Sequence, residues 1–130
     1  MNKKLIELIA RILLGLIFFV FGLNGFFQFI PMPPLPEPAM NFMGALMATG
    51  YFLPVLKATE VVAGLMLLSG FYVPLALILL APIIVQILLF HTFIVPDLAM
   101  PIFILILELV LAYIHKGAWT ALLTAKSEEN

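Results

Sequence analysis

The sequence has no cysteine. That excludes disulfide staples, thiolate metal sites and any thiol oxidase that works through its own cysteine pairs. Charge is scarce as well: six Lys and Arg stand against seven Asp and Glu, for a net charge of −1 and 10% charged residues. With no basic patch, nucleic acid is excluded as a partner. His91 and His115 fall at opposite ends of the apolar pattern and cannot ligate one haem. No phosphate-cradling glycine loop, Ser-His-Asp constellation or zinc-type His/Cys spacing occurs, so no catalytic residue and no metal ligand is assigned. Met40, Met43, Met47 and Met66 lack a tight repeat and a histidine partner, and read as fillers rather than copper ligands. Whether the chain is an enzyme stays open on these grounds.

Apolar residues are abundant: 65% of the 130, with a mean hydropathy of +1.24. No soluble domain of this size can hide so much apolar surface, so the solvent is lipid. The pattern predicts an all-α fold. Residues 1–130 form one integral membrane four-helix bundle, with spans at 5–29, 53–72, 74–94 and 98–115 and a short outer interfacial helix. The first span is too long for a signal-peptide core and lacks a small-x-small cleavage site, so it is expected to be retained.

The prolines of Ile30–Pro38 favour polyproline II. Asn41 is expected to cap the short helix, Phe42–Thr49, with Gly50 as its stop. Pro54 suits a first helical position, Ser69, Gly70 and Pro74 mark a tight turn, and Pro82 is expected to kink the third span. Tyr113 and Trp119 suit a belt at headgroup level, and the tail from Lys126 to Asn130 is expected to be mobile. Lys3, Lys4 and Arg11 lie near one terminus and Lys116 and Lys126 near the other, whereas both connections on the opposite side lack Lys and Arg. The positive-inside rule then places both termini in the cytoplasm of a bacterial-type plasma (inner) membrane.

The stretch from Lys57 to Gly70 sets a lysine and a glutamate one turn apart at the head of an apolar helix. At 1.5 Å per residue, Lys57 and His91 fall about 5 Å below the outer boundary, Asn24 about 8 Å, Glu60 about 10 Å, Gln86 about 12 Å and Glu108 about 15 Å. Three spans thus place polar groups in one outer-half slab, with Glu108 just beneath it. Asn24, Lys57, Glu60, Gln86, His91 and Glu108 are the candidate ligand-binding residues. Each has a plainer reading beside it. Lys57 is shallow enough to snorkel, His91 to be interfacial, and Asn24 and Gln86 can hydrogen-bond between helices. Arg11, about 9 Å from the inner boundary, and Glu108 form a candidate structural ion pair. Gly15, Gly22 and Gly25 share a face of the first span with Arg11 and Phe18, as packing glycines do.

These residues resemble the small four-span DoxX family. The likeness rests on Arg11-Ile-Leu-Leu-Gly15 with Phe18 and Gly22, on Glu60-Val-Val-Ala-Gly64-Leu-Met-Leu-Leu-Ser-Gly70, on the proline-rich outer segment and on Phe90-His91-Thr-Phe93. The resemblance covers about Arg11 to Glu108. It implies a four-helix membrane bundle that is a subunit or partner of a membrane oxidoreductase, or a quinol-linked component. Members often carry a lysine near the end of the first span, where this chain has Asn24, so Lys57 is left to supply that charge.

The first expectation is therefore a small oxidoreductase subunit, with no intrinsic cofactor and a quinone-type ligand in the outer half. Electrons would come from another membrane or membrane-associated protein. The alternatives are a non-enzymatic scaffold or assembly factor, and below it a small-solute or proton pathway through Glu60 and Glu108. The lipid bilayer is a partner in every case, and a homo-oligomer stays open.

Overall fold

A computed structural model describes residues 2–31 and 34–125. The tail from Lys126 to Asn130, expected to be mobile, lies outside the described residues, as do Met32 and Pro33 of the proline-rich segment.

Helix α1, Lys3–Phe27, starts where the Asn2 side chain accepts the Leu5 N–H at 2.8 Å. It ends two residues before the expected Phe29. Gln28 turns left-handed at φ 52° and donates its N–H to the Asn24 carbonyl. Helix α2, Glu37–Ala48, begins five residues earlier than expected. Pro38 occupies its first turn, where a missing N–H costs nothing, so Asn41 lies inside the helix and does not cap it. Helix α3, Phe52–Ser69, starts two residues ahead of Pro54, and Gly70 at φ 81° closes it by donating to the Met66 carbonyl.

Three residues later helix α4, Val73–Phe93, runs back with Pro82 inside it. Helix α5, Ala99–Ile114, completes the set and is only 16 residues long. The chain then bends by 71° into a 3₁₀ turn, Lys116–Ala118, and a short α6, Trp119–Leu122. That bend is pinned by Trp119, whose indole N–H donates to the Ala112 carbonyl at 2.8 Å. No strand occurs among the described residues. Helices α1, α3 and α4 are long and apolar enough to cross a membrane, and α5 counts as a fourth when its bent extension is taken with it.

The four long helices run alternately up and down, each beside its neighbour in sequence, with α5 closing the ring against α1. Packing is most extensive between α1 and α3. A Cβ added to Gly64 would lie 2.7 Å from the Phe19 nitrogen and 2.9 Å from the Gly15 carbonyl oxygen, so backbone meets backbone at this crossing. The fully buried Leu14, Leu67, Leu77, Leu80, Ile84 and Leu111 fill the half of the bundle nearest the chain termini or its middle. The half beneath α2 is hollow. Large apolar side chains such as Leu16, Val62, Leu65, Val85 and Leu109 are exposed around the outside, as a lipid-facing surface requires.

Candidate functional site

The hollow half contains a cavity of about 620 Å³ to which all five principal helices contribute. Phe18 and Phe21 come from α1, Phe42 from α2, Phe52 from α3 and Phe90 from α4, giving walls of phenylalanine. Phe42 and Phe90 stack tilted at 5.7 Å, which ties the inner face of α2 to α4. Met100 and Ile104 of α5 complete the wall.

Four polar side chains share this lining: Lys57 and Glu60 from α3, Gln86 and His91 from α4. Glu60 is 5% exposed, and its Oε1 receives the Lys57 ammonium at 3.5 Å. Lys57 runs across α1, where a Cβ on Gly25 would overlap its stem. Gln86 is exposed, and it lines the cavity. His91 packs edge-on to Phe90 at 5.2 Å, and its Nδ1 is buried with no hydrogen-bond partner. The two pairs, one turn and five residues apart in sequence, thus face one space from neighbouring helices.

The other candidates are not part of this lining. Asn24 is buried, but its Oδ1 accepts the Ile30 N–H at 2.7 Å while its backbone carbonyl accepts from Gln28. It is a capping residue that turns the chain after α1. Glu108 is 7% exposed on the inward side of α5, and its Oε1 has no partner.

The expected Arg11–Glu108 ion pair does not form. Arg11 Nε instead lies 3.1 Å from Glu7 Oε1, and its Nη1 donates to the Leu67 carbonyl at 2.7 Å and the Leu68 carbonyl at 3.4 Å. The guanidinium caps the carboxyl end of α3, where terminal carbonyls lack helical donors. Glu7 Oε2 also meets His115 Nε2 at 2.9 Å, joining the start of α1 to the end of α5. In antiparallel helices that contact sets Leu14 opposite Glu108, one turn beyond Arg11. Sequence depth brought Arg11 and Glu108 close, and helix rotation separated them.

Glu7 and His115 were missed as partners; only the i,i+4 spacing of Glu7 and Arg11 was readable in advance. The contribution of α2 to the cavity had no signal in sequence either. A smaller space of about 260 Å³, lined by Gly25, Phe26, Met47, Gly50, Leu53 and Pro54, carries no charged side chain.

Fold and cavity together define a small polytopic membrane protein, a helical bundle hollow at one end. The family model for DoxX matches residues 6–95, and the chain belongs to the DoxX family. The match takes in Lys57, Glu60, Gln86 and His91 and stops short of α5. No curated protein matches the chain, and no solved structure does.

Proposed function

We propose that this DoxX-family membrane protein is a small subunit or partner of a membrane oxidoreductase, and that its cavity takes a quinone-type ligand. The observation that carries this reading is the buried, unpartnered His91 Nδ1 in a phenylalanine-walled cavity that also presents an ammonium, an amide and a carboxylate. Ligand sites are commonly about 300–1,000 Å³, mostly apolar, with a few convergent polar groups. A flat conjugated ring suits the aromatic walls, and its two carbonyl oxygens need hydrogen-bond donors. Lys57, Gln86 and His91 can donate, and the isoprenoid tail has lipid to enter. When bound, a quinone supplies two-electron redox chemistry. This chain's residues bind and orient the head group, keep water away with five phenylalanines, and hold a proton acceptor at the Glu60 carboxylate. In this reading electrons come through a partner protein, and thiol chemistry of the chain's own is excluded by its lack of cysteine.

Orientation follows from Lys3, Lys4, Arg11 and Lys116, which gather at the end of the bundle carrying both termini. That end faces the cytoplasm of a bacterial-type plasma membrane, and the cavity opens in the outer half.

Release from mild detergent followed by intact mass analysis tests the proposal. The expected result is an isoprenoid quinone bound to the wild-type protein, with occupancy lowered at least tenfold in His91→Ala and Glu60→Gln. A co-purified protein without quinone would favour the scaffold alternative. Equal quinone in all three proteins would remove the cavity from the account.

A further inference from the structure

Glu108 is the buried acid for which the cavity gives no role. It belongs to the inward stripe of α5 formed by Pro101, Ile104, Leu107, Glu108 and Leu111, all of them buried. Ile104, one turn away, is part of the cavity wall, about 6 Å along the axis. His115, bridged to Glu7, lies two turns in the other direction, about 10 Å. Glu60 packs beside Gly22 of α1, whereas Glu108 falls opposite Leu14, about 12 Å further along that helix. They sit on diagonal helices of the ring.

The charged groups nearby are already engaged. On α1, Arg11 is held by Glu7 and the α3 carbonyls; on α3, Lys57 is held by Glu60. On α4, Gln86 and His91 face the cavity. No ion pair reaches Glu108 among the described residues. An ionised carboxylate in hydrocarbon without a cation is strongly disfavoured, whereas the neutral acid needs only modest solvation.

We infer that Glu108 is a proton-storing group of the cavity, resting as the neutral acid between the cavity floor and the Glu7–His115 bridge. This rests on the proposed ligand reading for its purpose, since quinone-type chemistry takes up and releases protons. The step itself is a proton transfer with no change of oxidation state. The O–H bond of Glu108 breaks, its proton crosses the cavity floor on transient water, an O–H bond forms on the Glu60 carboxylate, and the Glu108 carboxylate regains a proton from the His115 side. Leu111 fills the stretch between Glu108 and His115, so that return waits on transient water.

Infrared spectroscopy of the detergent-solubilised protein, with a short-chain benzoquinone as probe, tests the inference. The expected spectrum has a carboxylic-acid carbonyl band that Glu108→Gln abolishes, Glu108→Asp moves and Glu60→Gln shifts without abolishing. Added quinone shifts the same band in the wild type. A wild-type band that survives Glu108→Gln unchanged overturns the assignment. If equilibrium dialysis shows bound quinone and the band stays still, the link to the cavity is overturned. If the quinone does not bind, the ligand proposal fails, and the Glu60→Gln shift alone decides whether Glu108 and the cavity communicate.

Discussion

Lys57 lies in the second turn of α3, close enough to one end to reach a headgroup layer, yet its ammonium is turned to Glu60. Gly25 of α1 makes this direction accessible, because the lysine stem lies where a Cβ would be. Gly25→Ala should therefore expel the side chain and leave Glu60 without its cation, at a cost close to that of Lys57→Met. Lys57→Met and Glu60→Gln should each destabilise by about 3–5 kcal/mol as single changes, while the double variant recovers most of the loss. In a Gly25→Ala background that coupling should vanish. Melting in detergent measures all of these, and a coupling unaffected by Gly25→Ala would show that the glycine does not steer the lysine. The Lys57–Glu60 contact was legible in sequence because i,i+3 spacing on a helix brings side chains together whatever surrounds them. Asn24 was not legible as a cap. Its role depends on Gln28 adopting a left-handed turn, which nothing in the residue types required.

At the scale of elements, the seam between α1 and α3 carries the tightest packing. The atoms facing Gly64 are backbone, the Phe19 nitrogen and the Gly15 oxygen, which cannot step aside as a lysine stem can. Gly64→Leu should cost more than about 3 kcal/mol by overpacking, and Gly22→Leu should be costly too, because its nearest neighbours are Val61 and Glu60. Leu65→Ala, on the lipid face, serves as the control and should be nearly silent. Arg11→Met should lower stability by about 1.5–3 kcal/mol, the worth of a charge-assisted hydrogen bond, because the carbonyls of Leu67 and Leu68 lose their donor. Equal melting of Arg11→Met and wild type would leave α3 to other caps. All four long helices were readable from apolar runs bounded by Gly and Pro. Their ends moved by one to three residues, and at α1 and α3 a left-handed residue, Gln28 or Gly70, rather than the hydrophobic run, decided the stop. The start of α2 at Glu37 hid behind prolines that read as polyproline, although Pro38 is well placed in a first helical turn.

The whole molecule divides into a dry half near the termini and a hollow half beneath α2. A single cysteine tests which half faces out. Glu37→Cys should react with an impermeant maleimide in intact cells and Gly117→Cys should not; the reverse pattern would turn the bundle over and move the cavity to the inner leaflet. The protein has no native cysteine to confuse the assay. The bundle is also uneven in length. At 1.5 Å per residue, the 25 residues of α1 extend about 37 Å, whereas the 16 of α5 extend about 24 Å before the chain turns aside. Against a hydrocarbon layer about 30 Å thick, α1 is long enough to tilt, whereas α5 without its bent extension is short. Such mismatch sorts proteins toward thin membrane and makes the acyl chain a variable of stability. Reconstituted into bilayers of increasing chain length, the protein should melt at progressively lower temperature, and shortening the lipids should bring the loss back.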